Sequence, residues 1–253
     1  MILLKTKEEI EIMREGGRRL AFILSELKKE VRAGVATIEL DKMARVLLRD
    51  TETKAAFLNY RPSGAIHAFP AALCTSINDA VVHGTPGEEV LKEGDLVKLD
   101  MGLIYKGFYV DSATTVGIGK ISKDAERLMR ATRESLAEGI KMAKPGNTLG
   151  DIGWAVSSRV LRDKFGIVQA LTGHGIGKSL HEDPHVFNVG RRDGGEKLVS
   201  GMVLAIEPMI ALGDGRVRQD RDESFRTVDG SLTAHFEHTV AITERGPLIL
   251  TKA

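Results

Sequence analysis

Apolar residues recur at helical spacing in four segments of the chain and in strand-like runs between them. Thr6 and Glu9 fit a capping box, and the apolar positions that follow are three and four residues apart, which predicts an amphipathic first helix. This helix is predicted to end before Ala33-Gly34, and a second helix to begin at Thr37. Each helix therefore has one apolar face to bury against another layer.

The helical pattern returns in the second half of the chain. A third helix is predicted from near Ser122 to Pro145-Gly146. Thr148 and Asp151 fit a second capping box, which predicts the start of a fourth helix. The chain is thus predicted to contain two pairs of helices. After each pair, the apolar residues no longer recur at helical spacing.

Strand-like sequence follows each helix pair. From Gly94 to Val116, β-branched and aromatic residues flank Lys106-Gly107, which predicts a hairpin. Residues 59–74 contain the prolines and glycine that are typical of a long loop. Helices and strands in this order predict an α+β fold.

A weak internal repeat relates the two halves of the chain. In each half a predicted strand starts after a glycine and ends on an acid six positions later, and the pairs are Gly94 with Asp100 and Gly201 with Glu207. We therefore predict one catalytic domain, residues 1–253, made of two pseudo-symmetric halves of about 1–120 and 121–253. Merging the two sheets would bring the acidic strand ends to equivalent places.

The composition excludes several classes of function. The chain has 36 basic and 35 acidic residues, and its formal net charge of +1 predicts neither a nucleic-acid partner nor an anionic membrane partner. It has no stretch near the roughly 20 uncharged apolar residues of a membrane span. Its start lacks a secretory pattern, so a cytoplasmic protein is predicted. Cys74 is the only cysteine, so any metal must be held by oxygen and imidazole.

Two aspartates in the predicted hairpin need an explanation. Asp100 and Asp111 lie directly opposite if the chain turns about Tyr105-Lys106, and they are diagonal neighbours if it turns at Lys106-Gly107. Opposite side chains on one face are about 5 Å apart, and like charges there are destabilising. Either both aspartates point to solvent on an edge hairpin, or a cation lies between them.

Two further acids favour the cation. Glu207 ends the most apolar predicted strand, Met202 to Ile206, and Glu237 lies in the strand-like run AHFEHTVAI. Unpaired carboxylates are very costly to bury, so a shared cation explains four such acids better than four separate exceptions do. Four carboxylates with a histidine can hold two divalent ions.

A glycine-rich segment supplies the histidine. In TGHGIGKSLHEDPHV, Gly173 and Gly175 flank His174, so the backbone can adopt unusual dihedral angles and approach a ligand closely. His181 follows seven residues later. TGHGIGKS also resembles a phosphate-binding loop, but Thr172 stands where that motif requires glycine. A nucleotide site is therefore rejected.

Six short motifs occur in a characteristic order and spacing. They are NDAVVHGTP (78–86), VKLDMG (97–102), VDSATT (110–115), GHGIGKSLHEDP (173–184), AIEPM (205–209) and FEHT (236–239). As a set they resemble the type I methionine aminopeptidases over essentially the whole chain. The resemblance implies the pita-bread fold, a duplicated α+β unit in which a curved antiparallel sheet carries helices on its outer face and the metal site inside.

The resemblance also implies a division of labour among the ligands. Asp100 would chelate one metal, and His174 would bind the other. Glu207 would complete the second of these, and Asp111 and Glu237 would bridge both metals. Each metal thus has ligands of its own and two carboxylates that it shares.

Substrate-binding residues follow from the same resemblance. His83 and His181 match family residues that would hydrogen-bond the scissile amide and its tetrahedral intermediate. The segment around Cys74 matches the pocket for the methionine side chain, and Phe69 and Phe225 stand at aromatic positions of that pocket. The set therefore contains both polar and apolar contacts for a substrate.

The chain departs from the family pattern in the pocket and beside the last motif. The loop from Asn59 to Pro70 is longer than the usual form, and Ile66 and His67 stand where the family has a pocket tyrosine and its neighbour. His235 replaces a glutamine that commonly precedes the final motif. The metal ligands are unaffected.

The implied function is hydrolytic removal of the initiator methionine from nascent proteins whose second residue is small. Two divalent ions, Co, Mn, Fe or Zn, would be the cofactors, and Glu207 would carry the proton of the attacking water. An Xaa-Pro aminopeptidase or dipeptidase on the same fold is one alternative. A non-catalytic pita-bread binding module is an alternative of another class.

The expected partners follow from that function. They are the N-terminal Met of nascent polypeptides and, transiently, the ribosome, and the protein is expected to be a monomer.

Overall fold

Four helices form where the apolar stripes of the sequence predict them. The computed structural model describes residues 2–61, 64 and 66–252. Within these residues the helices are α1 (Lys7–Glu30), α2 (Thr37–Asp50), α3 (Lys123–Met142) and α4 (Leu149–Leu161). In this part of the chain, none of them combines the length and apolar character needed to cross a bilayer.

Both predicted capping boxes are confirmed. The Thr6 hydroxyl accepts a hydrogen bond from Glu9 N at 3.2 Å, and the Thr148 hydroxyl accepts one from Asp151 N at 3.3 Å. In each box the acidic side chain accepts in return from the backbone N–H of the threonine. These contacts satisfy donors that the first helical turn leaves free, and so they fix where α1 and α4 begin.

Helix α2 begins at Thr37, as the sequence predicts, but the Thr37 side chain does not cap it. The N-cap is Ala36, which makes no side-chain hydrogen bond. The Thr37 hydroxyl instead donates to Gly87 O at 3.0 Å and accepts from Gly87 N at 2.9 Å. It therefore ties the helix to a distant loop instead of capping its own first turn.

Short antiparallel strands fill the sequence between and after the helices. They are β1 (Lys54–Ala55), β2 (Cys74–Ile77), β3 (Ala80–Val82), β4 (Leu96–Tyr105), β5 (Phe108–Gly117), β6 (Gly166–Ile167), β7 (Gly173–Gly175), β8 (Glu182–Val186), β9 (Val203–Ile206), β10 (Met209–Ala211), β11 (Val217–Gln219), β12 (Phe225–Thr227), β13 (Thr233–His235), β14 (His238–Thr243) and β15 (Gly246–Ile249). The described strands form one sheet of order β1-β4-β2 with β5 paired to β4, two three-stranded sheets, β13-β10-β6 and β11-β12-β3, and a sheet of order β15-β14-β9-β7-β8.

The long hairpin β4–β5 turns at Lys106-Gly107, as the sequence predicts. Tyr105 pairs with Phe108, and both turn residues have positive φ, 47° and 85°. Positive φ at both central positions is typical of the tight turn whose twist matches two antiparallel strands. Of the two registers that the sequence allowed, this turn selects the diagonal one.

Two apolar cores lie against the helix pairs. The first joins α1 and α2 to strands β2, β4 and β5, with Leu20 and Leu99 fully buried. The second joins α3 and α4 to strands β9 and β14, with Ile152 and Leu204 fully buried. Each helix pair thus covers its own group of strands, which is the arrangement expected of an α+β unit.

Matched glycines support a correspondence between the halves. Gly34 and Gly146 follow the first helix of each pair and have φ of 91° and 93°. Gly94 and Gly201 precede the acid-ended strands and have φ of 89° and 96°. Only glycine adopts this conformation readily, so the repeated positions carry a common backbone requirement. The division into halves of about 1–120 and 121–253 stays a prediction.

Candidate metal centre

A cavity of about 690 Å3 collects most of the residues that the sequence predicts for the site. We call its polar base, formed by the five predicted metal ligands, the floor: Asp100, Asp111, His174, Glu207 and Glu237. We call the residues above them the wall, and these are Tyr60, Phe69, Cys74, His83 and His181. Phe225 lies behind the wall, with its ring centroid 5.7 Å from that of His83.

The register of β4 and β5 places two floor aspartates on one face. Asp100 pairs with Ala113 and Gly102 pairs with Asp111, so the two acids are diagonal neighbours. Asp111 N donates to Thr239 Oγ1 at 2.9 Å, and Thr239 Oγ1 donates back to Asp111 O at 2.7 Å. The hairpin is therefore fixed to β14, which belongs to the other sheet.

The two floor glutamates lie where β9 and β14 meet. Ile206 pairs with His238, so Glu207, which follows β9, and Glu237, which precedes β14, emerge at the same end of the sheet. The Ser112 hydroxyl, from β5, donates to Glu237 O at 2.7 Å. Carboxylates from both parts of the chain are thus positioned by regular strand pairing.

His174 lies on β7, between two glycines whose role differs from the predicted one. Neither Gly173 nor Gly175 has positive φ, so the expectation of unusual dihedral angles is wrong. A Cβ atom at Gly173 would lie 2.3 Å from Ala205 O, and one at Gly175 would lie 2.1 Å from Asp183 O. The glycines therefore let the neighbouring backbone approach β7 closely.

The tautomer of His174 follows from its hydrogen bond. Its Nδ1 is 2.9 Å from Gly175 O, and a carbonyl can only accept, so Nδ1 carries the proton. The lone pair is then on Nε2, which lies 3.6 Å from Glu207 Oε1. A neutral imidazole whose other nitrogen donates to a backbone carbonyl is the form that binds metals.

Burial disfavours charge on the floor. It raises the pKa of the carboxyl groups of Asp100, Glu207 and Glu237 well above their usual range and that of Asp111 to about 7, and repulsion from neighbouring floor carboxylates contributes at Asp100, Glu207 and Glu237. Burial also lowers the pKa of His174 to about 3. In the absence of a cation, the floor must therefore take up protons to relieve this repulsion.

A divalent cation fits the floor better than protons do. Asp100 Oδ1 is buried without a hydrogen-bond partner among the described residues. Two groups of ligand atoms each lie within 4.8 Å of one another, namely Asp111, His174 and Glu237, and Glu207, His235 and Glu237. Oxygen with imidazole is a donor set that divalent transition metals accept. The residues present therefore fit a metal centre.

The wall places polar groups above the floor. The rings of His174 and His181 are 4.4 Å apart between centroids. His83 has a φ of 61°, a strained conformation for a residue other than glycine, and it is exposed to the cavity. Both wall histidines can therefore reach a ligand that is bound on the floor.

Two residues of the site were missed as candidates. Tyr60 donates to or accepts from His181 Nδ1 at 2.7 Å, although the sequence directed attention to Ile66 and His67 for a pocket tyrosine. His235 is 1% exposed, its Nε2 is 3.5 Å from Glu207 Oε2, and burial lowers its pKa to about 3. The sequence signal for His235 is that this histidine replaces the glutamine that commonly precedes the final motif. No comparable signal marks Tyr60.

Comparisons with known proteins agree with this geometry. Residues 11–244 match the family model of metallopeptidase family M24. The chain is 44% identical over 252 residues to a methionine aminopeptidase of Clostridium perfringens, with 99% of each chain covered. The family is described as metallopeptidases and the relative as an aminopeptidase. A buried group of metal-binding side chains agrees with both descriptions.

Solved structures share the fold. The crystal structure of a methionine aminopeptidase from Thermotoga maritima matches with a TM-score of 0.94 and 41% identity, covering 100% of both chains. A prolidase from Pyrococcus furiosus matches with a TM-score of 0.77 and 23% identity, covering 99% of this chain and 65% of that one. The predicted α+β, pita-bread fold is confirmed by these neighbours.

Proposed function

The chain belongs to the metallopeptidase family M24, and we propose that it is a methionyl aminopeptidase that hydrolyses the bond after an N-terminal methionine. The resemblance drawn from the six motifs is confirmed by the full-length relatives. The observation that carries the proposal is the buried floor, where four carboxyl groups and one imidazole converge with an unpartnered oxygen on Asp100. Such a group of acids is costly to bury unless it binds a cation.

We propose that the floor holds two divalent ions. Asp100, Asp111, His174, Glu207 and Glu237 would be the ligands, with Co, Mn, Fe or Zn as the candidates. When bound, such ions lower the pKa of water and neutralise negative charge that develops on a carbonyl oxygen.

Glu207 is the proposed proton carrier. Without metal its pKa is raised by burial and by repulsion from Asp100 and Asp111, and a bound cation would keep its carboxylate in the ionised form that can accept a proton. It can accept a proton from the attacking water and return it to the amine that leaves. Its two oxygens face imidazole nitrogens, His174 Nε2 at 3.6 Å and His235 Nε2 at 3.5 Å.

The wall is the proposed substrate site. His83 and His181 would hydrogen-bond the scissile amide and its tetrahedral intermediate, because both are exposed to the cavity above the floor. Phe69 and Cys74 line the same cavity and give it apolar surface for a methionine side chain. Phe225, whose ring meets that of His83, would supply a further aromatic contact of this pocket.

The proposed substrates are nascent polypeptides with a small second residue. They would be met in the cytoplasm, by a monomer that contacts the ribosome transiently. An Xaa-Pro peptidase is less favoured, because the likeness to a prolidase at 23% identity extends to the fold alone. A non-catalytic module is less favoured too, because all five predicted ligands are present and line the cavity.

The test is an assay of the metal-stripped protein with added Mn, Fe, Co or Zn. Peptides Met-Gly-Phe and Met-Leu-Phe would probe the second residue, and Ala-Pro-Phe would probe the Xaa-Pro alternative. We expect metal-dependent release of methionine, faster from the glycine peptide than from the leucine peptide. Absence of methionine release with every ion would sink the proposal, and preference for Ala-Pro-Phe would select the alternative.

A further inference from the structure

His235 is a buried imidazole without a partner. Its ring is 1% exposed, and neither Nδ1 nor Nε2 has a hydrogen-bond partner among the described residues. Its backbone is fixed on both sides by Thr115, whose hydroxyl donates to His235 O at 2.7 Å and accepts from His235 N at 2.9 Å. Burying two unpaired ring nitrogens is costly, so the position calls for a ligand that the protein itself does not supply.

The ring of His235 faces the floor. Its Nε2 lies 3.5 Å from Glu207 Oε2, which is long for a hydrogen bond. Two ligands about 2.1 Å from one tetrahedral cation lie roughly 3.4 Å apart, which is close to the separation observed. A ring nitrogen of His235 also belongs to a group with carboxylate oxygens of Glu207 and Glu237, all within 4.8 Å of one another.

We propose that His235 is a sixth protein ligand of the metal centre and supplies it with a second imidazole. This inference rests on the proposed function in assuming that the floor binds divalent ions. The two ligand groups, one with His174 and one with His235, share Glu237. Both imidazoles also face Glu207, at 3.6 and 3.5 Å, so His235 would add a second imidazole to the ion that His174 and Glu207 hold. The glutamine expected at position 235 from the family resemblance could offer only an amide oxygen.

The added nitrogen ligand has a consequence for metal preference. Imidazole suits Zn and Co, whereas Mn is satisfied by carboxylate, carbonyl and water oxygens. His235→Gln replaces the nitrogen donor by an oxygen donor of similar reach. The variant should therefore lose affinity for Zn and Co while its affinity for Mn changes little.

The experiment measures metal binding without activity. Metal-stripped wild type, His235→Gln and the control His185→Gln are titrated calorimetrically with Zn and with Mn. His185 also lines the cavity, but it is exposed and its ring contacts Thr172. We expect His235→Gln to weaken Zn binding at one site by about 10-fold or more and Mn binding by less than about 3-fold. The control should match wild type for both ions.

Proton NMR of the Co-loaded wild type gives a readout that needs no variant. Two metal-bound imidazoles should give two hyperfine-shifted, exchangeable ring N–H signals, one from His174 and one from His235. A single signal, or equal losses of Zn and Mn affinity in His235→Gln, would overturn the inference and leave the proposed function intact. Failure of the wild type to bind any divalent ion would overturn both.

Discussion

The floor and the wall of the cavity are built in different ways. The floor aspartates lie on the paired strands β4 and β5, and Asp111 and Glu237 are nearly fully buried. The wall residues Tyr60 and Phe69 lie in the loop between β1 and β2, and His83 and His181 are exposed to the cavity. Regular pairing fixes the groups that need one arrangement, whereas loops carry most of the groups that select what enters, and Cys74 on β2 is the exception among the wall residues.

The largest effect should come from a floor ligand that both sheets hold in place. Asp111→Asn keeps the shape of the side chain and removes its charge, so the metal centre loses a carboxylate proposed to be shared by two ions. We expect kcat for methionine release to fall by about 1000-fold or more. Without metal, the Tm of this variant should be at least that of wild type. A neutral amide avoids the cost of burying the carboxylate, which raises the pKa of Asp111 to about 7.

Asp222→Asn is the matched control for that experiment. Asp222 also lines the cavity, but it is exposed, and its carboxylate accepts from the Ser224 hydroxyl at 2.7 Å. Its replacement should change kcat by less than about 3-fold. Equal losses in the two variants would show that any acid of the cavity matters, and the distinction between floor and wall would then be lost.

Protons should compete with metal ions for the carboxylates of the floor, whereas binding of an apolar ligand to the wall should depend little on pH. The pKa of Asp111 is about 7 without metal, and those of the other three floor acids are also raised, so these groups hold protons at mildly acidic pH. A metal must displace these protons, and its affinity therefore falls as pH falls through the raised pKa values. Between pH 7.5 and 5.5 we expect a loss of about 100-fold, at least one proton per ion being displaced.

Calorimetric titrations in buffers of different ionisation enthalpy measure this proton release directly. Hexanol is a suitable apolar probe of the wall because it has no group that titrates in this range. Its affinity should vary little between pH 7.5 and 5.5, because hydrophobic contact neither takes up nor releases a proton. A metal affinity independent of pH would contradict the raised pKa values of the floor.

The sequence predicted the two aspartates of the floor because the register of a hairpin can be counted from residue numbers. Once Lys106-Gly107 is taken as the turn, the register of Asp100 and Asp111 follows from residue numbers alone. The wall depends on where a loop folds back, and that is set by distant contacts, such as the one from Ile66 N to the Glu223 carboxylate. Residues 62, 63 and 65 of this loop lie outside the described residues.

The same limit explains the misread positions near the site. Tyr60 is seven residues before His67, and only the fold brings its hydroxyl to His181. His235 stands out in the sequence as an unusual residue, but its backbone is held by Thr115, which is 120 positions away in the chain. Local patterns therefore predicted the helices, the hairpin and the acids that line the floor, while contacts between distant segments decided the wall.

The wall should show its own, smaller effect on catalysis. His181→Ala removes an imidazole 4.4 Å from the ring of His174 without removing a proposed metal ligand. We expect kcat to fall by about 100-fold, the usual cost of losing one donor to a developing oxyanion, with metal content unchanged. Metal analysis and peptide kinetics on the same samples measure both quantities. His185→Ala, the control on the same cavity, should stay within about 3-fold of wild type, and loss of metal from His181→Ala would assign this histidine to the floor.

The smallest expected effect concerns the contact that orients the wall. Tyr60→Phe removes the hydroxyl 2.7 Å from His181 Nδ1 and leaves the aromatic ring in place. A hydrogen bond of this kind is worth about 1 kcal/mol, so kcat should fall about fivefold with little change in KM. If Tyr60 acts only through His181, the same substitution should cost nothing further in a His181→Ala background. Additive losses would mean that the hydroxyl contacts the substrate itself, and the wall would then select peptides through the loop as well as through its histidines.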